Sequence, residues 1–472
     1  MTDNLTARLG ALYKGIKGEE AVSVNPLPGA GSDRRYFRLT GDGGESMIGV
    51  YGDDVSENRA FIALARYFRG KGIPVPEIYA VSDDEKMYLQ EDLGDVQLIS
   101  LLHTEEGDRL VGECMRELAR LQTLPREEWE GMTFNAPFSR RQVMWDLNYF
   151  KYEYVKPSGV VFDEALLEDD FEGLADSLLD GDRRLWGFMY RDCQSRNVMV
   201  KGGKPYWIDF QGGRLGPCVY DAVAMLWQAK AGFSDTFREE MLGEYASALG
   251  YYCGVRPEEV LAEVDRYLLF RTLQVLGAYG FRGLIQKRAH FIESIPGALG
   301  NLRQLIDKGV VAAYPELERL CRELVADERF KPNAGDGLHV NVFSFSYKRG
   351  YPEDYSGNGG GFMFDCRGLH NPGRYEQYKP LTGLDKPVRD FLEERGEIQP
   401  FLSSAWELTD QAVACYLRRG FTSLQIGFGC TGGRHRSVYS ADATARHIAE
   451  KFPAAKVTVI HREQGIREEV KG

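Results

Sequence analysis

The stretch YRDCQSRNVMV at residues 190–200, followed by WIDF at 207–210, decides how this chain reads. Asp192 and Asn197 are five apart, on a loop that enters a short strand from Val198 to Val200. Lys201, Gly202, Gly203, Lys204 and Pro205 make a turn, and Tyr206 to Phe210 form the return strand carrying Asp209. A hairpin of this kind sets Asp209 beside Asn197 at its open end. Asp192 is then placed to accept a hydroxyl proton, and Asn197 and Asp209 to hold magnesium, which is the equipment of phosphoryl transfer from ATP. A single aspartate in a loop is ordinarily a cap or turn residue. RDxxxxN followed by IDF across a short hairpin is the specific signal.

Working outward, the arrangement resembles the catalytic loop and metal-binding aspartate of the kinase-like fold. Arg191 and Phe210 match that pattern, and Tyr190 stands where it has a histidine. Upstream, VSVNPL, YFRLTG and MIGVYG alternate as short strands, Glu57 to Lys71 reads as an amphipathic helix, and VPEIYAVS and KMYLQEDLG add two strands. This is the plan of a kinase-like small lobe. Its phosphate loop is LPGAGSDRRYFRL, 27–39, where the backbone at Gly29, Gly31 and Ser32 can approach phosphate closely. Arg34 replaces the third glycine of a GxGxxG loop, and MIGVYG offers no phosphate-contacting lysine. Arg34 and Arg35, with Arg38 nearby, are the cations available instead. A plain hairpin turn is the alternative reading of this loop. Asp221, opening the next helix, reads as a structural N-cap.

The set GSDRRYFRL, VPEIYA, EDLGD, YRDCQSRN, IDFQGGRLGP, YD at 220–221 and RTLQVLGAYG resembles bacterial N-acetylmuramate/N-acetylglucosamine kinases of the aminoglycoside-phosphotransferase superfamily, over about residues 20–325. The resemblance implies ATP-dependent phosphorylation of a free amino sugar at its anomeric hydroxyl, in peptidoglycan recycling. WDLNYFKYEY, 145–154, occupies the place of that family's substrate-lobe helix, so Asp146 and Asn148 are sugar-contact candidates, with the aromatics more often core.

The second strong feature is LQIGFGCTGGRHRSVYSADATARHIAEKF, 424–452. An apolar strand ends at Phe428, a loop carries Gly429, Gly432 and Gly433, and a helix presents Val438, Ala441, Ala445, Ile448 and Phe452 on one face. Strand, glycine loop and helix N-terminus make an anion site, to which Arg434, His435 and Arg436 add charge. Cys430 to Arg436 also spells C-x5-R, the phosphate loop of tyrosine-phosphatase-like enzymes, in which a thiolate attacks phosphorus. Against that reading, Gly429 stands in place of a histidine and no general-acid loop is evident. SFSYKRGYP, FDCRGLHNP, LTGLDKPV and GCTGGRHRSVY, in that order, resemble the C-terminal domain of the RNase adapter RapZ over about 338–472. That resemblance implies a site for glucosamine-6-phosphate, and RNA as a further partner, although the family's own N-terminal P-loop ATPase domain is replaced here by the kinase-like part. The phosphosugar pocket carries over onto Ser344, Asp365, Arg367, Asn371, Thr382, Gly383, Cys430, Thr431, Gly432, Gly433, His435, Arg436 and Ser437, with His370 held near the loop.

The expected organisation is a two-lobed α+β kinase-like domain at 1–325 (small lobe about 1–96, large lobe about 97–325), a linker at 326–337, and a smaller α/β domain at 338–472. Length alone calls for two or three domains. From Gly337 onward 18 Lys/Arg face 16 Asp/Glu, whereas the remainder has 40 against 54, and five of seven histidines lie in the last part. The asymmetry fits a separate, anion-facing domain. No apolar run approaches the roughly 18–20 residues of a membrane span. MTDNLTARLG lacks a signal-peptide pattern, and eight scattered cysteines without CxxC pairs suit reduced thiols, so a cytoplasmic location is expected. Three functions follow from the residues: an amino-sugar kinase using ATP and Mg2+ with a sugar-phosphate-binding domain; a sensor or RNA adapter with a degenerate kinase lobe; and a Cys430 phosphatase.

Overall fold

Period-two alternation over 35–51 builds the first sheet. The computed structural model describes residues 2–28, 34–292, 294–327, 330, 337–352, 361–419 and 421–471. Strands β1 (Ser23–Pro26), β2 (Arg35–Thr40), β3 (Ser46–Tyr51), β4 (Ile78–Val81) and β5 (Met87–Glu91) form an antiparallel sheet in the order β1-β2-β3-β5-β4. On β2, Phe37 and Leu39 point to one face and join Met47, Met87 and Leu89 in a core with Leu5, Leu9 and Tyr13 of the helix Thr2–Lys17. The helix Val55–Gly70 is capped by Asp54, whose side chain accepts from the N–H groups of Ser56 and Glu57. It buries Phe61, Leu64, Ala65 and Phe68. Each of the Phe and Leu side chains contributes roughly 1.5–3 kcal/mol by leaving water.

The helical part of this unit holds two small β pairs. β6 (Trp186–Met189) pairs antiparallel with β9 (Arg214–Pro217), and β7 (Val198–Lys201) with β8 (Lys204–Trp207). The β7–β8 turn places both Gly202 (φ 59°) and Gly203 (φ 71°) at positive φ, the geometry of a tight two-residue hairpin turn. β8 ends at Trp207, so Asp209 lies just past the strand rather than within it, at φ 67°. After β9 the chain forms the helices Val219–Leu226 and Asp235–Cys253.

The chain divides into two compact units: Met1–Gly280 with Gly297–Val325, and Phe281–Pro296 with Ala326–Gly472. In the second, β10 (His339–Ser346), β11 (Gly361–Asp365), β12 (Ser423–Cys430), β13 (Lys456–His461) and β14 (Ile466–Val470) form a mixed sheet in the order β11-β12-β10-β13-β14. The neighbours from β11 to β13 are parallel, and β14 is antiparallel at the edge. All eight residues of β12 are buried, as an apolar inner strand requires. Helices Ile398–Arg419 and Arg436–Lys451 pack on the sheet, and Val342, Ile426, Phe428, Ala441, Ile448 and Val459 lie in the resulting core.

Candidate functional site

The loop before β7 is fixed from beneath by a buried acid. Asp221, fully buried in the helix Val219–Leu226, accepts from the backbone N–H of Tyr190 at 2.6 Å and of Arg191 at 2.8 Å, and from the Gln122 amide at 2.8 Å. It is structural, as expected, but works as a clamp on the catalytic loop rather than as an N-cap; Cys218 holds the cap position. The clamp stabilises Arg191 in a left-handed conformation, φ 79°, which turns the chain so that Asp192 is exposed. Burial pushes the Asp221 carboxyl up to about 7, against the hydrogen bonds it accepts. From above, Asn197 Nδ2 donates to the Asp192 carbonyl at 2.9 Å and to Asp209 Oδ2 at 3.1 Å. Ile208 N–H closes the open end of the hairpin on the Asn197 carbonyl at 3.1 Å. Asp192, Asn197 and Asp209 are thus brought together. Burial and the nearby Asp192 charge push the Asp209 carboxyl above its ordinary range, opposed by the Gln211 amide and Arg34. Phe210 stacks on Phe61 with ring centroids 4.8 Å apart, tying Asp209 to the helix Val55–Gly70.

Gly29, Gly31 and Ser32 lie outside the described residues. Of the two arginines that follow, the strand alternation separates them. Arg34 is buried with its Nη2 3.0 Å from Glu57 Oε2 on the helix, and it feels the Asp209 charge. The contact lacks hydrogen-bond alignment, which leaves that nitrogen a buried donor without an aligned acceptor. Arg35 is exposed, opposite Tyr51, and Arg38 is spent on Asp92 and Asp95. Asp146 reaches the catalytic loop: its Oδ2 accepts from Arg191 and from Gln274 Nε2, the latter at 3.1 Å. Asn148 does not join it, since its amide turns back to the Met144 carbonyl at 2.9 Å. In the same stretch Phe150 and Tyr154 are core, whereas Trp145 is exposed.

In the second unit, β12 delivers Cys430 to the N-terminus of the helix Arg436–Lys451. Gly433, at φ 64°, passes so close to Ser346 and Glu463 that a Cβ would sit 2.8 Å from the Ser346 nitrogen and 2.4 Å from Glu463 Cγ. Gly383 lies against the loop in the same way, with its N–H on the Arg434 carbonyl at 2.9 Å. The Thr382 hydroxyl bonds Asp385 at 2.9 Å, and His435 Nε2 meets the Tyr378 carbonyl at 2.9 Å. Burial lowers the His435 pKa. Asn371 accepts from Gly373 N–H, and Gly373 lies beside the His435 ring. Asp365 pairs with Arg367 at 2.7 Å, and the Arg367 guanidinium covers the Tyr347 ring. The Thr431 carbonyl accepts from Ser346 Oγ at 2.8 Å, and Gly432 is exposed. Ser344 sits apart, fully buried and bonded to His461 Nδ1 at 3.0 Å. His370 is placed by its N–H on Glu397 Oε2 at 2.7 Å.

Cys430 Sγ lies 3.1 Å from the Ser437 hydroxyl. Burial pushes this thiol up, but hydrogen bonds from the Ser437 hydroxyl and from the N–H groups of Ser437 and Arg434 outweigh it, so its pKa falls below the ordinary value. Arg436 Nη1 donates to the carbonyls of Arg367 and Leu369, at 3.0 and 2.8 Å, while its buried Nε has no hydrogen-bond partner among the described residues. Arg434 likewise holds the carbonyls of Leu381 and Pro380.

Residues 23–259, just over half of the chain, match the phosphotransferase enzyme family. The chain belongs to that family. Residues 338–465 match the RapZ C-terminal domain. Among curated relatives, "Nucleotide-binding protein GK3066" of Geobacillus kaustophilus is 37% identical over 142 residues, 30% of this chain and 45% of the relative. A "Nucleotide-binding protein" of Geobacillus thermodenitrificans is 39% identical over 151 residues, 32% and 48%. The chain thus spans about half the length of these relatives. Solved structures similar to it include a putative aminoglycoside phosphotransferase from Ralstonia eutropha (16% identity, TM-score 0.46, 69% of this chain and 98% of that one). Another is a choline kinase from Cryptosporidium parvum (13%, 0.46, 67% and 99%).

In this phosphotransferase-family unit the donor set suits a hard divalent cation. Asp209 offers carboxylate oxygens, Asn197 uses its amide nitrogen within the protein and leaves its amide oxygen, and Gln211 Oε1 is a buried oxygen without a partner. Among the described residues no group of three or more His, Cys, Asp or Glu is placed to hold a metal ion, and no helix is long and apolar enough to cross a membrane. Two residues escaped sequence reading. Glu57 was visible only as a polar position on a helix, and Gln211 only as the residue after IDF; each gains meaning from a partner brought in by folding.

Proposed function

We propose that the chain is a kinase transferring the γ-phosphoryl group of ATP to an amino sugar of the N-acetylmuramate or N-acetylglucosamine type, at the anomeric hydroxyl. The kinase domain is 1–325, and the domain at 338–472 binds a sugar phosphate such as glucosamine-6-phosphate. The observation that carries this reading is the fixed triangle of Asp192, Asn197 and Asp209, in which Asn197 bonds both the Asp192 carbonyl and the Asp209 carboxylate. Asp192 is exposed at its apex and takes the acceptor proton as the hydroxyl oxygen bonds to phosphorus and the bond to ADP breaks. Asn197 and Asp209, with Gln211 beside them, would hold Mg2+, which neutralises phosphate charge when bound. Arg34, held by Glu57, supplies the buried cation that the lysine-free β3 lacks.

That ion pair favours an active kinase over a degenerate lobe serving a sensor or RNA adapter. Glycine at 429, where the phosphatase loop carries histidine, speaks against a Cys430 phosphatase. The test is ATP consumption by the full chain with each hexosamine. Asp192→Ala is expected to lower turnover by about 10²–10⁴-fold. Absence of turnover on every hexosamine would sink the kinase reading. Cys430→Ser is expected to leave phosphate release unchanged, and a loss there would revive the phosphatase.

A further inference from the structure

Two cysteines far apart in the sequence meet where β11 and β12 end. The strands run parallel, with Phe362 opposite Ile426, Phe364 opposite Phe428 and Asp365 opposite Gly429. Cys366 and Cys430 are the next residues on the two sides. By the two-residue period of a strand they follow the face on which the Phe364 and Phe428 rings stack, with centroids 5.2 Å apart. Neighbouring strands lie about 4.7–4.9 Å apart, inside the roughly 4.4–6.8 Å between Cα atoms that a disulfide spans.

The helix Arg436–Lys451 locates both sulfurs independently. Cys430 Sγ lies 3.1 Å from the Ser437 hydroxyl, and Cys366 Sγ lies 3.7 Å from the Ser440 hydroxyl. Ser437 and Ser440 are three apart on that helix, so they are neighbours on one face, about 5–6 Å from each other. Strand register and helix face therefore set the two thiols side by side. Both are free thiols; Cys366 is fully buried and Cys430 is 3% exposed, just before the exposed Thr431 and Gly432.

The pair is unequal in acidity. Burial pushes the Cys366 thiol up. At Cys430 burial acts in the same direction, but hydrogen bonds from Ser437 and from the Arg434 N–H outweigh it and lower the pKa. The thiolate is the nucleophile in sulfur chemistry, so Cys430 is the thiol that meets an oxidant and Cys366 the one that resolves the product.

We infer that Cys430 and Cys366 form an oxidant-responsive pair, closed to a disulfide by a small hydroperoxide. The Cys430 thiolate attacks one peroxide oxygen. A sulfur–oxygen bond forms as the O–O bond breaks, and the other oxygen leaves and takes a proton from water. Cys366 Sγ then attacks the resulting sulfenic acid; the disulfide forms as the sulfur–oxygen bond breaks, and the hydroxyl departs with the Cys366 proton as water. The two thiols supply the two electrons that reduce the peroxide. The new bond draws Cys430 from Ser437 and ties the end of β12 to the turn Cys366–Gly368, whose neighbouring carbonyls Arg436 already holds. This modification site stands apart from the kinase reading.

The test treats the full chain with hydrogen peroxide and maps its peptides by mass spectrometry without reduction. A Cys366–Cys430 cross-linked peptide, reversed by dithiothreitol, is expected before the more exposed Cys253 and Cys415 react. Its rate should rise with pH to a midpoint below the ordinary thiol value. In Cys366→Ser, Cys430 is expected to stop at the sulfenic acid and take up dimedone; in Cys430→Ser, Cys366 stays reduced. Oxidation of Cys253 and Cys415 that leaves Cys366 and Cys430 reduced overturns the inference. So does oxidation of Cys430 to the same product, at the same rate, in Cys366→Ser and the wild type. The wild-type map decides alone where a variant fails to fold.

Discussion

At Asp221 one fully buried carboxylate holds two backbone N–H groups and the Gln122 amide. Asp221→Ala orphans the two backbone N–H groups, while the Gln122 amide keeps the Cys218 carbonyl at 2.9 Å, and is expected to cost about 3 kcal/mol or more, measured by denaturant unfolding. The pH dependence has a definite sign. The folded-state pKa, about 7, lies above the ordinary 3.8, so between these values the native protein keeps a proton that the unfolded chain releases. On Asp221's account stability therefore falls as pH rises from about 4 to about 7. Asp221→Asn should flatten the slope in that window; an unchanged slope would contradict the assignment. Asp192, Asn197 and Asp209 were legible in the sequence because one short hairpin fixes their separation. Asp221 was visible, but its task was misjudged as a cap, since the N–H groups it serves lie about thirty residues away.

Arg34 and Gly433 both depend on contacts between elements. Arg34 precedes β2, and its cation is held by the helix Val55–Gly70. Glu57→Gln is expected to lower kcat/KM for ATP roughly 10- to 100-fold with the fold intact, and Arg34→Gln to do the same; full activity in both variants would remove the pair from the mechanism. In the second unit, Gly433→Ala must hold a left-handed residue and place its Cβ against Ser346 and Glu463. The conformational strain alone is about 1–2 kcal/mol, so both thermal stability and sugar-phosphate binding should fall. Strands and helices with a strong periodic stripe were readable. The helix Thr2–Lys17 was not, because its buried Leu5, Leu9 and Tyr13 are sparse among polar residues and acquire a face only against the sheet.

At the scale of the whole molecule, the chain joins a phosphotransferase-family unit to a RapZ C-terminal domain. Both were legible because each is announced by several short motifs in fixed order. The pairing of Arg34 with Glu57 was not, because the two lie on separate elements and meet only in the fold. The most direct measurement is turnover of the full chain with ATP, Mg2+ and N-acetylmuramate, the product read by phosphorus NMR. The account predicts an anomeric sugar phosphate and ADP in equal amounts, both lost in Asp192→Ala. No phosphorylated hexosamine, or a product that persists undiminished in Asp192→Ala, would contradict it.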